Sequence, residues 1–123
     1  MPGRDGGSAP QPRRRVLRLR REFFDHLAAG RKTVEVRVCD PEREGIAPGE
    51  QILFTCESQE VLAEVVRVAR YRDFHSLLAA EPIGRINPGL TREQQLAVLR
   101  EIYPPAKEAL GALAIRITVL RQT

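Results

Sequence analysis

Residues 27–54 read LAAGRKTVEVRVCDPEREGIAPGEQILF. Gly30 follows an apolar helical face and supplies a turn without the steric cost of a Cβ. Residues 33–38 then alternate strictly. Val34, Val36 and Val38 point one way and Thr33, Glu35 and Arg37 the other, the pattern of a strand with one buried face. A polar loop occupies 40–49, and Pro48-Gly49 signals a turn into a short apolar strand at 51–55.

The flanking sequence extends this pattern in both directions. Residues 16–20 (VLRLR) alternate as a half-buried strand, and 22–29 (EFFDHLAA) set Phe23, Phe24 and Leu27 on one helical face. Downstream, the β-branched run 61–68 predicts a strand, and Asp73 is an N-cap for a helix over 74–80. Two Pro and two Gly within 82–89 predict a loop. Thr91-Arg92-Glu93-Gln94 fits a capping box ahead of Leu96, Leu99 and Ile102 at helical spacing, and Pro104-Pro105 ends that helix. Residues 112–120 form a last strand. The order β-α-β-β-β-α-α-β predicts an α+β fold, a small curled sheet or barrel with helices packed on it. Its first and last strands are expected to close against each other. No internal repeat is visible.

A chain of 123 residues, 42 % hydrophobic and 29 % charged, has the balance of one soluble globular domain. No stretch approaches the ~18 apolar residues of a membrane span, and no apolar leader follows the N-terminal charges, so a cytoplasmic protein without membrane association is expected. The formal net charge of +4 is unevenly spread. Residues 1–21 hold seven Arg and one Asp, leaving residues 22–123 slightly acidic at −2. Residues 1–13 therefore read as a flexible basic tail, poor in groups that can be buried, and 14–123 as a single domain. Cys39 and Cys56 lack a CxxC spacing or a neighbouring His pair, and His26 and His75 lie in unrelated segments. Free thiols are expected, with no metal site and no cofactor.

Chemistry concentrates in Gly30 to Arg37. Thr33, Glu35 and Arg37 form a row spaced by about 7 Å on one strand face, and Lys32, one of two lysines in the chain, stands at its entry beside Arg31. A carboxylate accepts from base or sugar donors, while Arg and Lys hold phosphate. The alternative is a solvated strand face on which Glu35 and Arg37 form an exposed pair worth ~0–1 kcal/mol. Tyr71 and Tyr103 are candidates for stacking on a base, and Arg85 and Asn87 for lining a ligand site from the Pro/Gly loop. The Arg13-Arg14-Arg15 run is suited either to phosphate contacts or to a solubilising junction.

The run quoted above resembles the ASCH domain family, a branch of the PUA-like fold. The resemblance rests on Gly30-Arg31-Lys32-Thr33-x-Glu35-x-Arg37, on Pro48-Gly49-Glu50 leading into Ile52-Leu53-Phe54, on Tyr71-Arg72-Asp73-Phe74 with Leu77, and on Glu101-Ile102-Tyr103-Pro104. It extends over roughly residues 16–120. It implies a β-barrel with a cleft around this strand that binds RNA, a nucleotide or a nucleoside. Some small relatives hydrolyse the amide of an acetylated cytidine with a Lys, a Thr nucleophile and a Glu. The Lys corresponds to Lys32, the Thr to the position of Glu35, and the Glu to the loop near Asn87 and Pro88, with Glu81 the nearest upstream acid. The resemblance thus implies a binding module first. The alternatives are a hydrolase of a modified nucleoside or of RNA, with Lys32 and Glu35 as its acid–base pair, and an adaptor without a ligand.

Overall fold

The computed structural model describes residues 13–122. Of the basic tail expected over 1–13, all but Arg13 lies outside the described residues. Among these, five strands form one sheet: β1 (Arg14–Arg18), β2 (Val34–Val38), β3 (Gln51–Cys56), β4 (Gln59–Tyr71) and β5 (Ala112–Gln122). Their spatial order is β1-β3-β4-β5-β2. The β1–β3 pair is parallel and the other pairs are antiparallel. The helices are α1 (Arg21–Ala28), α2 (Phe74–Ala80), α3 (Ile83–Ile86), α4 (Arg92–Ile102) and α5 (Pro105–Glu108). The mixed α+β fold, a curled half-barrel sheet carrying helices, is the architecture expected from the pattern of elements.

The closure expected between the first and last strands does not occur. A strand has two hydrogen-bonding edges, and those of β5 are taken by β4 and β2. The first strand instead lies beside β3, with Val16 opposite Leu53, and Gln51 N donates to the carbonyl of Arg13. The 82–89 segment also differs from a plain loop. One helical turn, α3, forms inside it and drives Ile86 into the core.

Local signals account for most boundaries. Gly30 has φ +79° and follows α1, with its N–H donating to Leu27 O, the left-handed conformation that glycine reaches without strain. Asp73 accepts from Ser76 N at 2.8 Å at the start of α2. Thr91 and Gln94 close a reciprocal capping box at the start of α4.

The apolar residues sort into two clusters on opposite faces of the sheet. One gathers Leu17, Phe24, Leu27, Ile52, Phe54, Val65, Ile115 and Ile117, with both free cysteines, Cys39 and Cys56, buried in it. The other gathers Val34, Val36 and Val38 of β2 with Phe74, Leu77, Leu78, Ile86 and Leu99 from the helices. Pairing of β4 with β5 is interrupted between Val65 and Arg67, where β4 carries an extra residue, Val66.

Candidate functional site

The polar face of β2 is covered. Val34, Val36 and Val38 pack into the helix-side cluster, yet Glu35, which alternation turns the other way, is only 4 % exposed. Lys32 is 3 % exposed, just ahead of the strand. Charges at that depth must be paired and hydrogen-bonded or they neutralise. Glu35 Oε1 lies 3.1 Å from Lys32 Nζ, and Glu35 Oε2 lies 2.5 Å from Arg37 Nε. The Lys32 ammonium also donates to the carbonyls of Val34 at 3.0 Å and Ile86 at 2.8 Å, with Asn87 Oδ1 at 3.5 Å. Arg37 Nη2 donates to the carbonyl of Arg18 at 2.8 Å. Two cations thus share one carboxylate, and the buried group carries a net +1.

Burial alone would raise the Glu35 carboxyl, but the charges of Arg37 and Lys32 and their hydrogen bonds outweigh it and hold its pKa below the ordinary value. Burial pushes the Lys32 ammonium down, with Glu35 opposing. Burial would also lower Arg37, but Glu35 and the Tyr103 phenol raise it.

Lys32, Glu35 and Arg37 border a cavity of about 300 Å³, and Asn87 and Tyr103 line it with them. Its remaining walls are largely apolar: Leu19, Phe23, Val36, Ile86, Val98, Leu99 and Ile102. Tyr103 is steadied by a tilted contact with Phe74, ring centroids 5.8 Å apart. An apolar slot ending in a few fixed polar groups is the form of a small-molecule or base pocket.

The other singled-out residues lie elsewhere. Thr33 precedes β2 and does not continue the row of Glu35 and Arg37. Its N–H donates to Arg85 O, its carbonyl accepts from Ile117 N, and it lines a second cavity of about 620 Å³. Tyr71 and Arg85 line that second cavity too. Tyr71 donates its hydroxyl to the buried Glu81 carboxylate, which also pairs with Arg67 at 3.2 Å. Glu81, the nearest upstream acid to the 87–88 loop, is therefore engaged in the second cavity and does not join Lys32 and Glu35. Arg31 is exposed and donates to His26 Nδ1 at 2.9 Å. The charged 40–49 loop lines neither cavity; Asp40 binds Arg43, and Ile46 anchors the loop in the core. Within the Arg13–Arg15 run, Arg15 pairs with Glu50 at 2.9 Å.

Three residues escaped the sequence reading of the site. Phe23, which the helical pattern sets on an apolar face, and Val98, which it does not single out, form cavity wall. Gln95 is fully buried, and its amide nitrogen donates to the carbonyls of Ile83, Asn87 and Leu90, tying the 83–90 segment to α4. The spacing of Gln95 to Leu99 and Ile102, one and two turns on, was the signal that placed it inward.

A family model described as the ASCH domain matches residues 17–120. The chain belongs to the ASCH domain family. That PUA-like family is associated with RNA binding. The chain is similar in structure to the hypothetical protein PH0355, with TM-score 0.80 and 28 % identity, covering 87 % of this chain and 99 % of that one. It is also similar to protein PF0455 from Pyrococcus furiosus, with TM-score 0.72 and 28 % identity over 88 % and 98 % of the two chains. An ASCH protein from Zymomonas mobilis shares the fold at TM-score 0.60 and 23 % identity, over 87 % of this chain and 70 % of the other. No curated protein matches in sequence.

Proposed function

We propose that this ASCH domain binds RNA or a nucleotide, with a base in the cavity bordered by Lys32, Glu35 and Arg37. The observation that carries the reading is the buried triad at the edge of an apolar slot: a fixed net positive charge beside walls suited to a planar ring, with Tyr103 placed to stack on it. Polar groups already held by Asn87 and the Arg18 and Ile86 carbonyls need no rearrangement when a ligand arrives.

Binding of a fluorescein-labelled eight-nucleotide single-stranded RNA, followed by anisotropy, tests it. Val98→Trp fills the slot without touching the triad and is expected to weaken binding at least ten-fold. Lys32→Met, checked for folding by circular dichroism, is expected to do the same. Wild-type affinity in a folded Val98→Trp protein overturns the reading.

The depressed pKa of Lys32 beside a carboxylate favours a second reading, a hydrolase of an acylated nucleoside or of RNA with this pair as acid and base. The counterweight is Glu35 itself: held ionised by two cations, it is a weak base, and it occupies the position where the acetylcytidine-cleaving relatives place a threonine. Turnover of an acetylated cytidine that disappears in Glu35→Gln favours the enzyme; no turnover favours the binding module.

A further inference from the structure

The larger cavity holds three arginines, Arg67, Arg85 and Arg116, all exposed, with Glu81 as the carboxylate in its lining. Glu81 balances Arg67. The guanidinium groups of Arg85 and Arg116 have no hydrogen-bond or ion-pair partner among the described residues. Arg67 and Arg116 are moreover direct partners across the β4–β5 ladder, and like charges placed opposite each other cost stability. The bulge at Val66 produces that juxtaposition. Ala63 and Val65 pack into the first core cluster, Val66 is exposed, and Val68 packs against the same cluster again. Arg67 is thereby turned away from that core, to the face of Arg116. Bulges that re-aim a side chain in this way recur beside binding sites. The cations gather on a region, residues 22–123, whose overall charge is −2, so this is a local concentration rather than a general basicity.

We propose that this cleft binds backbone phosphates of a single-stranded polynucleotide, with Arg85 and Arg116 as the contacting residues and Arg67, anchored by Glu81, beside them. Guanidinium forks match phosphate oxygens in pairs and stay charged at any working pH. The Thr33 and Thr118 side chains in the same lining add hydroxyl donors. One short element connects the two cavities: Arg85 lines the larger, and Ile86 and Asn87 the smaller. A strand whose base enters the smaller cavity crosses α3 and lays its neighbouring phosphate among the arginines. In this form the proposal rests on the nucleotide reading above.

The test is the salt dependence of binding to the labelled octanucleotide, wild type against the double variant Arg85→Gln/Arg116→Gln. Both positions are exposed, so the fold is retained. Each phosphate contact on a single strand contributes a slope of about −0.7 in log K against log salt, so losing two makes the slope shallower by ~1.4. Between 50 and 200 mM salt the wild type should therefore lose about seven-fold more affinity than the double variant. An unchanged slope overturns the proposal. Inorganic pyrophosphate serves as the second arm: competition for this cleft with no change in the RNA slope assigns the arginines to free anions and also overturns it. The two readings separate in the Val98→Trp protein. Wild-type RNA binding there, with the slope still reduced by the arginine substitutions, removes the base cavity and keeps the phosphate cleft. Loss of binding there, with a slope unaffected by those substitutions, does the reverse. Absence of RNA binding by the wild type removes both.

Discussion

The Lys32 ammonium donates at 2.8 Å to the backbone carbonyl of Ile86, 54 residues further along the chain. This contact, with that to Asn87, fastens the entry of β2 to α3, and it gives one buried cation a structural partner in addition to its ionic one. Removing a charge from such an arrangement therefore tests stability as much as binding.

Replacing Glu35 by Gln leaves Lys32 and Arg37 buried without their counter-charge. Breaking a buried ion pair on one side costs about 3–5 kcal/mol. Urea unfolding of Glu35→Gln should show a loss at the lower end of that range, because the amide oxygen still accepts one hydrogen bond. A loss below about 1 kcal/mol, the scale of exposed pairs, would mean that the triad is solvated.

The same carboxylate sets an acid limit. Its folded pKa lies below the unfolded value of about 4.3. Its contribution is thus present above the unfolded value and is lost as pH falls through the folded one. Asp73 and Glu108 are also depressed, Asp73 mainly by its hydrogen bonds with Ser76 and Glu108 mainly by Arg100, so the wild-type curve alone mixes several groups. The difference between wild type and Glu35→Gln isolates Glu35. It should be constant near neutrality and shrink as pH drops below about 4. A difference that grows on acidification contradicts the assignment.

Gly30→Ala tests the turn that aims Lys32. No atom lies within 4 Å of a Cβ built there, so the cost is the backbone angle and not a clash. Holding alanine in the left-handed region costs about 1 kcal/mol. A fall in Tm of roughly 4 °C is expected by calorimetry, with the ligand-binding residues left intact.

Tyr103→Leu keeps an apolar wall and removes the ring. If a base stacks there, affinity for the octanucleotide should fall by about 1–3 kcal/mol, roughly five- to 150-fold. Tyr71→Phe is the matched control in the other cavity, and it should leave that stacking unaffected while releasing Glu81.

Strand β2 illustrates how far the sequence could be read. Its alternation was visible, and Val34, Val36 and Val38 face a core as expected. The depth of Glu35 and Arg37 was not visible, because the cavity they border is walled by residues remote in sequence, Arg18 to Phe23 on one side of the chain and Ile86 to Tyr103 on the other. Alternation gives the parity of a face, and burial depends on what later packs against it. Thr33 left the row for a related reason: its backbone is taken up by Arg85 and Ile117 before the strand begins. Tyr71 and Tyr103 look equivalent as isolated aromatics, yet they line different cavities. The order of strands in space was likewise illegible for β1, whose short alternating pattern fits a parallel edge beside β3 as well as a seam with β5.

The extra residue in β4 marks a place where the strand can lose length. Val65 pairs with Ile117 and Arg67 with Arg116, neighbours in β5, so Val66 is the residue left without a partner there. Deleting Val66 alone would close this interruption and leave Arg67 opposite Arg116 and Val68 opposite Ile115, on the faces they already occupy. The 40–49 loop, which borders neither cavity, leaves room for insertions in the same way. Relatives that keep the arginine face can therefore differ by one residue between the β3–β4 turn and Asp73.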